Sequence, residues 1–163
     1  VPSSEREHWG GAEVFEQFLV EKLMVDMAKR YRVKRDKQIL YGQSLGGHLA
    51  PVLGKQNESK IDGVVLEGAF SSHDDIAGER AGFIGRWFIG EKYSAKDSIP
   101  LIKKPVLVIH SIGDRTIPIE HGKRLYAAAT EPKSFYQIDS THILGPLYYA
   151  DSIVARIERM FPD

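Results

Sequence analysis

Apolar positions along this chain follow two alternating rhythms, and the alternation predicts the architecture. Over residues 12–31, Val14, Phe15, Phe18, Leu19, Leu23, Met24, Met27, Ala28 and Tyr31 recur three and four apart, the stripe of a long amphipathic helix. Lys29, Arg30 and Arg32 close it, where cations favour the negative end of the helix dipole. Short apolar runs then predict buried strands at 37–42, 61–67, 105–110 and 134–139. Pro105 opens the third, the position at which a missing N–H does least harm. Between them, helical spacing predicts helices at 45–55, 120–130 and 147–160, and a helical stretch at 76–88 inside a strandless region, 71–104. Strand and helix in strict alternation predict an α/β fold, a parallel sheet with helices on both faces.

Composition narrows the class of function. With 163 residues the chain holds one domain and one core. Basic and acidic residues balance at 22 each, without the Lys/Arg excess that binds nucleic acid. Cysteine is absent, which excludes disulfides, thiolate metal sites and cysteine nucleophiles. The apolar runs fall far short of the roughly 20 residues that span a membrane. The histidines His8, His48, His73, His110, His121 and His142 show no metal-ligand spacing, so neither a metal nor another cofactor is expected. Gly42 to Gly47 lacks the Lys-Ser/Thr ending of a phosphate-binding loop.

The chemistry gathers at Gly42-Gln43-Ser44-Leu45-Gly46, a G-x-S-x-G between a predicted strand and a predicted helix. The pattern alone arises by chance in roughly 5% of chains this size. Its strand–turn–helix setting is what a serine nucleophile needs. The serine sits on a tight turn, Gly42 and Gly46 let strand and helix approach, and the Leu45 N–H is placed to bind a developing oxyanion. An acid and a histidine should follow in that order. Asp114 lies just beyond the third strand and His142 just beyond the fourth, at the strand ends where open α/β sheets collect active-site groups. Alone, Asp114 reads rather as a surface-turn residue and His142 can be an ordinary loop histidine; together with Ser44 they form a constellation. Glu67, ending the second strand, is an alternative acid or a carboxylate bonded to loop backbone. His110 reads as a structural histidine bonded to the Asp114 loop. Phe83, Ile84, Trp87 and Phe88 form an apolar stripe, either packing or a substrate wall.

Gly42 to Gly47, Val65 to Ser72, Pro105 to Pro118 and Thr141-His142 resemble the α/β-hydrolase superfamily, most closely its serine aminopeptidase and small bacterial esterase branch. The resemblance runs from about Gly11 to the end. It implies a serine hydrolase acting on an ester, thioester or amide of a small molecule or peptide. Ser44 would be nucleophile, Asp114 acid, His142 base and Leu45 one oxyanion donor, with residues 71–104 a short cap. The same residues would serve an acyltransferase; a non-catalytic binding or scaffold protein on the same fold is the other alternative, against which the set Ser44, Asp114 and His142 argues. Members of the superfamily carry further strands before the helix that precedes the serine, and one of their loops supplies a second oxyanion donor. No such segment precedes Ser44 here. A C-terminal part of the fold is therefore expected, whose serine strand pairs with those N-terminal strands or with another chain.

Overall fold

A computed structural model describes residues 37–72, 75 and 94–162. The helix expected at 12–31, the stretch at 76–88 with its apolar stripe, His8 and His73 lie outside the described residues. The elements run β1 (Ile39–Gln43), α1 (Leu45–Gln56), β2 (Gly63–Glu67), α2 (Ala95–Ser98), β3 (Val106–Ser111), α3 (Ile119–Ala128), β4 (Lys133–Ile138), α4 (Gly145–Tyr148) and α5 (Ala150–Met160). All lie within the unit Gln38–Asp163. The four strands form a parallel sheet in the order β1-β2-β3-β4, with Ile39 opposite Gly63, Val64 opposite Val106 and Val106 opposite Lys133.

The central strands explain their own composition. Every residue of β2 and β3 is buried, so the runs Val64-Val65-Leu66 and Val106 to Ile109 are apolar at each position rather than alternately. The pleat then divides them. Val64, Leu66, Val106 and Val108 pack with Ala50 of α1, Ile99, Ile102 and Leu125 of α3. Val65, Leu107 and Ile109 face the other way, onto Ile138, Ile153 of α5 and Phe161. Each such large side chain contributes about 1.5–3 kcal/mol by leaving water. Ala95, Ile99 and Ile102, at the end of the region expected to be an insertion, are completely buried in the first of these cores.

Two expectations need correction. The closing helix is not continuous over 147–160: it divides into α4 and α5 at Tyr149, whose backbone (φ −128°, ψ 21°) leaves the helical region. The Tyr149 hydroxyl donates to the Asp139 carbonyl and its ring meets Tyr136 edge-on, contacts that hold it there. Pro105 lies just before β3 rather than inside it, with its carbonyl accepting the Val64 N–H. At the sheet margin, β1 pairs with β2 alone among the described residues, and its Tyr41 is 36% exposed. No helix among the described residues is long and apolar enough to cross a membrane.

Candidate active site

Ser44 sits between the last residue of β1 and the first of α1 with φ 52° and ψ −119°. A non-glycine residue in such a conformation costs on the order of 1–3 kcal/mol and persists only where its surroundings hold it. Here the Ser44 N–H donates to the Glu67 carbonyl at 2.9 Å, and the His48 N–H donates to the Ser44 carbonyl at 3.1 Å. The glycines around it do not act as their spacing suggested. A side chain on Gly42 would strike the Gly46 carbonyl and come within 2.8 Å of the Ala50 Cβ, and one on Gly47 would lie 2.7 Å from the Ala69 Cβ. Gly46 has nothing within 4 Å of where its Cβ would stand. The close approach of strand and helix therefore rests on Gly42 and Gly47, with Gly46 contributing its backbone.

Asp114 follows β3 and is buried. Its Oδ1 accepts the N–H groups of Thr116 and Ile117 at 2.8 and 2.9 Å, which fixes the carboxylate. Its Oδ2 lies 2.7 Å from His142 Nδ1, and His142 Nε2 lies 2.9 Å from Ser44 Oγ. The structure thus brings together three residues drawn from three strand ends, the serine and histidine 98 positions apart. With Nδ1–H donating to Asp114, Nε2 is left to accept the Ser44 hydroxyl proton. An imidazole so oriented can draw that proton away as the oxygen attacks. Leu45 opens α1, where the first N–H groups have no acceptor within the helix.

Residues that sequence reasoning left aside hold this arrangement. The Ser111 hydroxyl donates to the Ser140 carbonyl and accepts the N–H groups of Ser140 (2.8 Å) and Gly113 (3.2 Å), tying the loop after β3 to the loop after β4. Gly68, at φ 55°, leaves room for the His142 ring: a Cβ there would stand 3.1 Å from Nδ1. The positive φ requires a glycine-like position, but a lone glycine after a strand carries no signal that a histidine packs on it. Glu67 does not meet His142. Its carboxylate accepts the Tyr41 hydroxyl and Gln43 amide at 2.6 Å each and the Gly145 backbone N–H at 2.7 Å. Burial, together with the adjoining Glu67 carboxylate, pushes the Tyr41 hydroxyl well above the ordinary tyrosine range, which keeps it a donor.

The rings of the other histidines His48, His110 and His121 are buried and meet other groups. His110 Nε2 donates to the Ile117 carbonyl at 2.8 Å and lies 3.6 Å from Asp114 Oδ2, as expected of a histidine supporting that loop. Burial pushes it below the usual histidine value, against the pull of the Ile117 carbonyl and Asp114. His48 stacks on Phe70 at 4.2 Å, and His121 Nδ1 accepts the Ser71 N–H at 3.2 Å. No group of three or more His, Asp or Glu suited to hold a metal occurs among the described residues.

No family profile matches the chain. It is 34% identical over 117 residues to the uncharacterized protein YfhR of Escherichia coli, covering 70% of this chain and 41% of that protein. It is 32% identical over 118 residues to the α/β-hydrolase domain-containing protein WAV2 of Arabidopsis thaliana, covering 63% and 38% respectively. The chain spans about two fifths of the length of these curated relatives. Among solved structures, an α/β-hydrolase enzyme from a sediment metagenome of Mar Chica, Morocco, superposes with a TM-score of 0.64 at 19% identity, covering 90% of this chain and 69% of that one. The acylaminoacyl peptidase of Pyrococcus horikoshii superposes with a TM-score of 0.66 at 17% identity, covering 90% and 27%. With the parallel sheet, the strained serine turn and these likenesses together, the chain has the α/β-hydrolase fold and is similar in sequence to an α/β-hydrolase domain-containing protein.

Proposed function

We propose that this chain carries the catalytic residues of a serine hydrolase that cleaves an ester, thioester or amide through an acyl-enzyme. The carrying observation is the continuous chain of contacts from Ser44 Oγ through the His142 ring to Asp114 Oδ2, at 2.9 and 2.7 Å. In this reading His142 Nε2 takes the Ser44 proton as Oγ bonds the acyl carbon. The carbonyl oxygen gathers negative charge and accepts from the Leu45 N–H at the start of α1. The imidazolium then gives its proton to the departing oxygen, sulfur or nitrogen. Water repeats the sequence on the acyl-serine, releasing the acid and restoring the serine. Asp114 keeps the ring in the productive tautomer and offsets its transient charge. That an esterase domain from Rhodothermus marinus and an acylaminoacyl peptidase are among the structural neighbours supports acyl chemistry.

A fluorophosphonate probe tests the reading, because it reacts only with an activated serine. The wild-type protein should be labelled, and Ser44→Ala should not. An unlabelled wild type, or a labelled Ser44→Ala, would remove Ser44 as nucleophile. Product analysis with water and a competing alcohol or amine then separates hydrolysis from acyl transfer.

A further inference from the structure

Ser44 and His142 follow β1 and β4, the outer strands of the described sheet. Three interstrand spacings separate those strands, about 14 Å. Yet His142 Nε2 stands 2.9 Å from Ser44 Oγ. The segment after β4 must therefore turn back across the ends of β3 and β2. At β3 it is held by Ser111 and Asp114. At β2 it is held by Glu67, whose Oε1 accepts the Gly145 N–H at 2.7 Å.

The returning segment needs such a hold. Ile143, immediately after the histidine, has φ 48°, a left-handed conformation that a β-branched residue adopts only under constraint. Glu67 grips it on one side and the serine turn on the other. Its Oε2 accepts Tyr41 and Gln43, the latter preceding the serine, while its own carbonyl takes the Ser44 N–H at 2.9 Å. The side chain is 1% exposed, and all three groups bonded to its carboxylate donate to it. The next residue, Gly68, lies under the His142 ring.

We infer that Glu67 is a positioning residue that sets the distance between nucleophile and base, coupling the serine turn to the strained histidine loop. This rests on the serine-hydrolase reading above. Without the carboxylate, Ile143 is free to leave the left-handed region and His142 Nε2 to withdraw from Ser44 Oγ. A displacement near 1 Å costs about a hundredfold in rate.

The test is a time course of fluorophosphonate labelling on the whole chain, reading separately the final labelled fraction and the rate constant. Wild type, Glu67→Gln and Glu67→Ala are compared. Both variants should reach the wild-type final fraction, with the rate constant falling roughly tenfold to a hundredfold in Glu67→Ala. Glu67→Gln, which still offers an oxygen to Gly145, should lie between. Were Glu67→Ala not to fold, Glu67→Gln decides, with a rate at least about threefold below wild type because its amide nitrogen faces two donors. A reduced final fraction at the wild-type rate constant means that Glu67 only supports folding and overturns the proposal. Wild-type values for both quantities overturn it too. A wild type that takes no label overturns the serine reading itself, and this proposal with it.

Discussion

Asp114 divides its two oxygens between unlike tasks. Oδ1 is occupied by two loop amides, so only Oδ2 is available to His142. In Asp114→Asn the loop bonds can persist on the remaining oxygen, which turns an amide N–H toward His142 Nδ1. The ring is then driven into the tautomer whose Nε2 carries a proton and cannot accept one from Ser44. The variant should fold and label about 10⁴-fold more slowly, the loss known for the equivalent change in a serine protease. Near-normal labelling of Asp114→Asn would return the acid role to another carboxylate. Ser44, Asp114 and His142 were legible as candidates at this scale because type, order and position at strand ends all agree. Glu67 was legible as a carboxylate bonded to backbone; Ser111 and Gly68 were not, because each acts on a residue far along the chain and belongs to no pattern of its own.

The turn from β1 into α1 is a contact between two backbones. Gly42→Ala places a Cβ against the Gly46 carbonyl and Ala50, neither of which is a flexible side-chain end that can move aside. Overpacking of this kind should destabilise the protein by about 1–3 kcal/mol. Gly46→Ala meets nothing within 4 Å and replaces glycine in a helix, so it should be neutral or stabilising by up to about 1 kcal/mol. Urea midpoints of the two variants check the contrast; equal destabilisation would mean that the glycine spacing, not this contact, sets the turn. Elements were well predicted where the apolar pattern and length agreed, as in β2, β3 and α1. The division at Tyr149 escaped because a hydrogen bond to Asp139 and a ring contact with Tyr136 interrupt the helix, and neither partner is its sequence neighbour.

Over the whole molecule, acidic and basic residues balance at 22 each, and the pH dependence of stability follows the individual groups that folding shifts from their ordinary values. His110 is fully buried, faces Asp114, His121 and His142, and is held below its ordinary value of 6.5, chiefly by burial. Its folded value is depressed, so its contribution is complete above pH 6.5 and is lost as pH falls below it, where the unfolded chain binds the proton more readily. Tyr41 is raised above its ordinary 10.0, again chiefly by burial, so its contribution is complete below that value and is lost as pH rises beyond it. The urea midpoint should therefore form a plateau between these limits and fall on either side. A midpoint that rose as pH dropped below 6.5 would contradict a neutral His110. Local sequence by itself determined the alternation of strand and helix, the burial of β2 and β3 and the serine turn, because each depends on residues within a few positions of one another. Tertiary structure alone decided which strand residues face which core, that Gly42 and Gly47 rather than Gly46 admit the close approach, and that a loop 98 positions from Ser44 returns to it. Those outcomes depend on strand order and on contacts between distant segments, which no local spacing encodes.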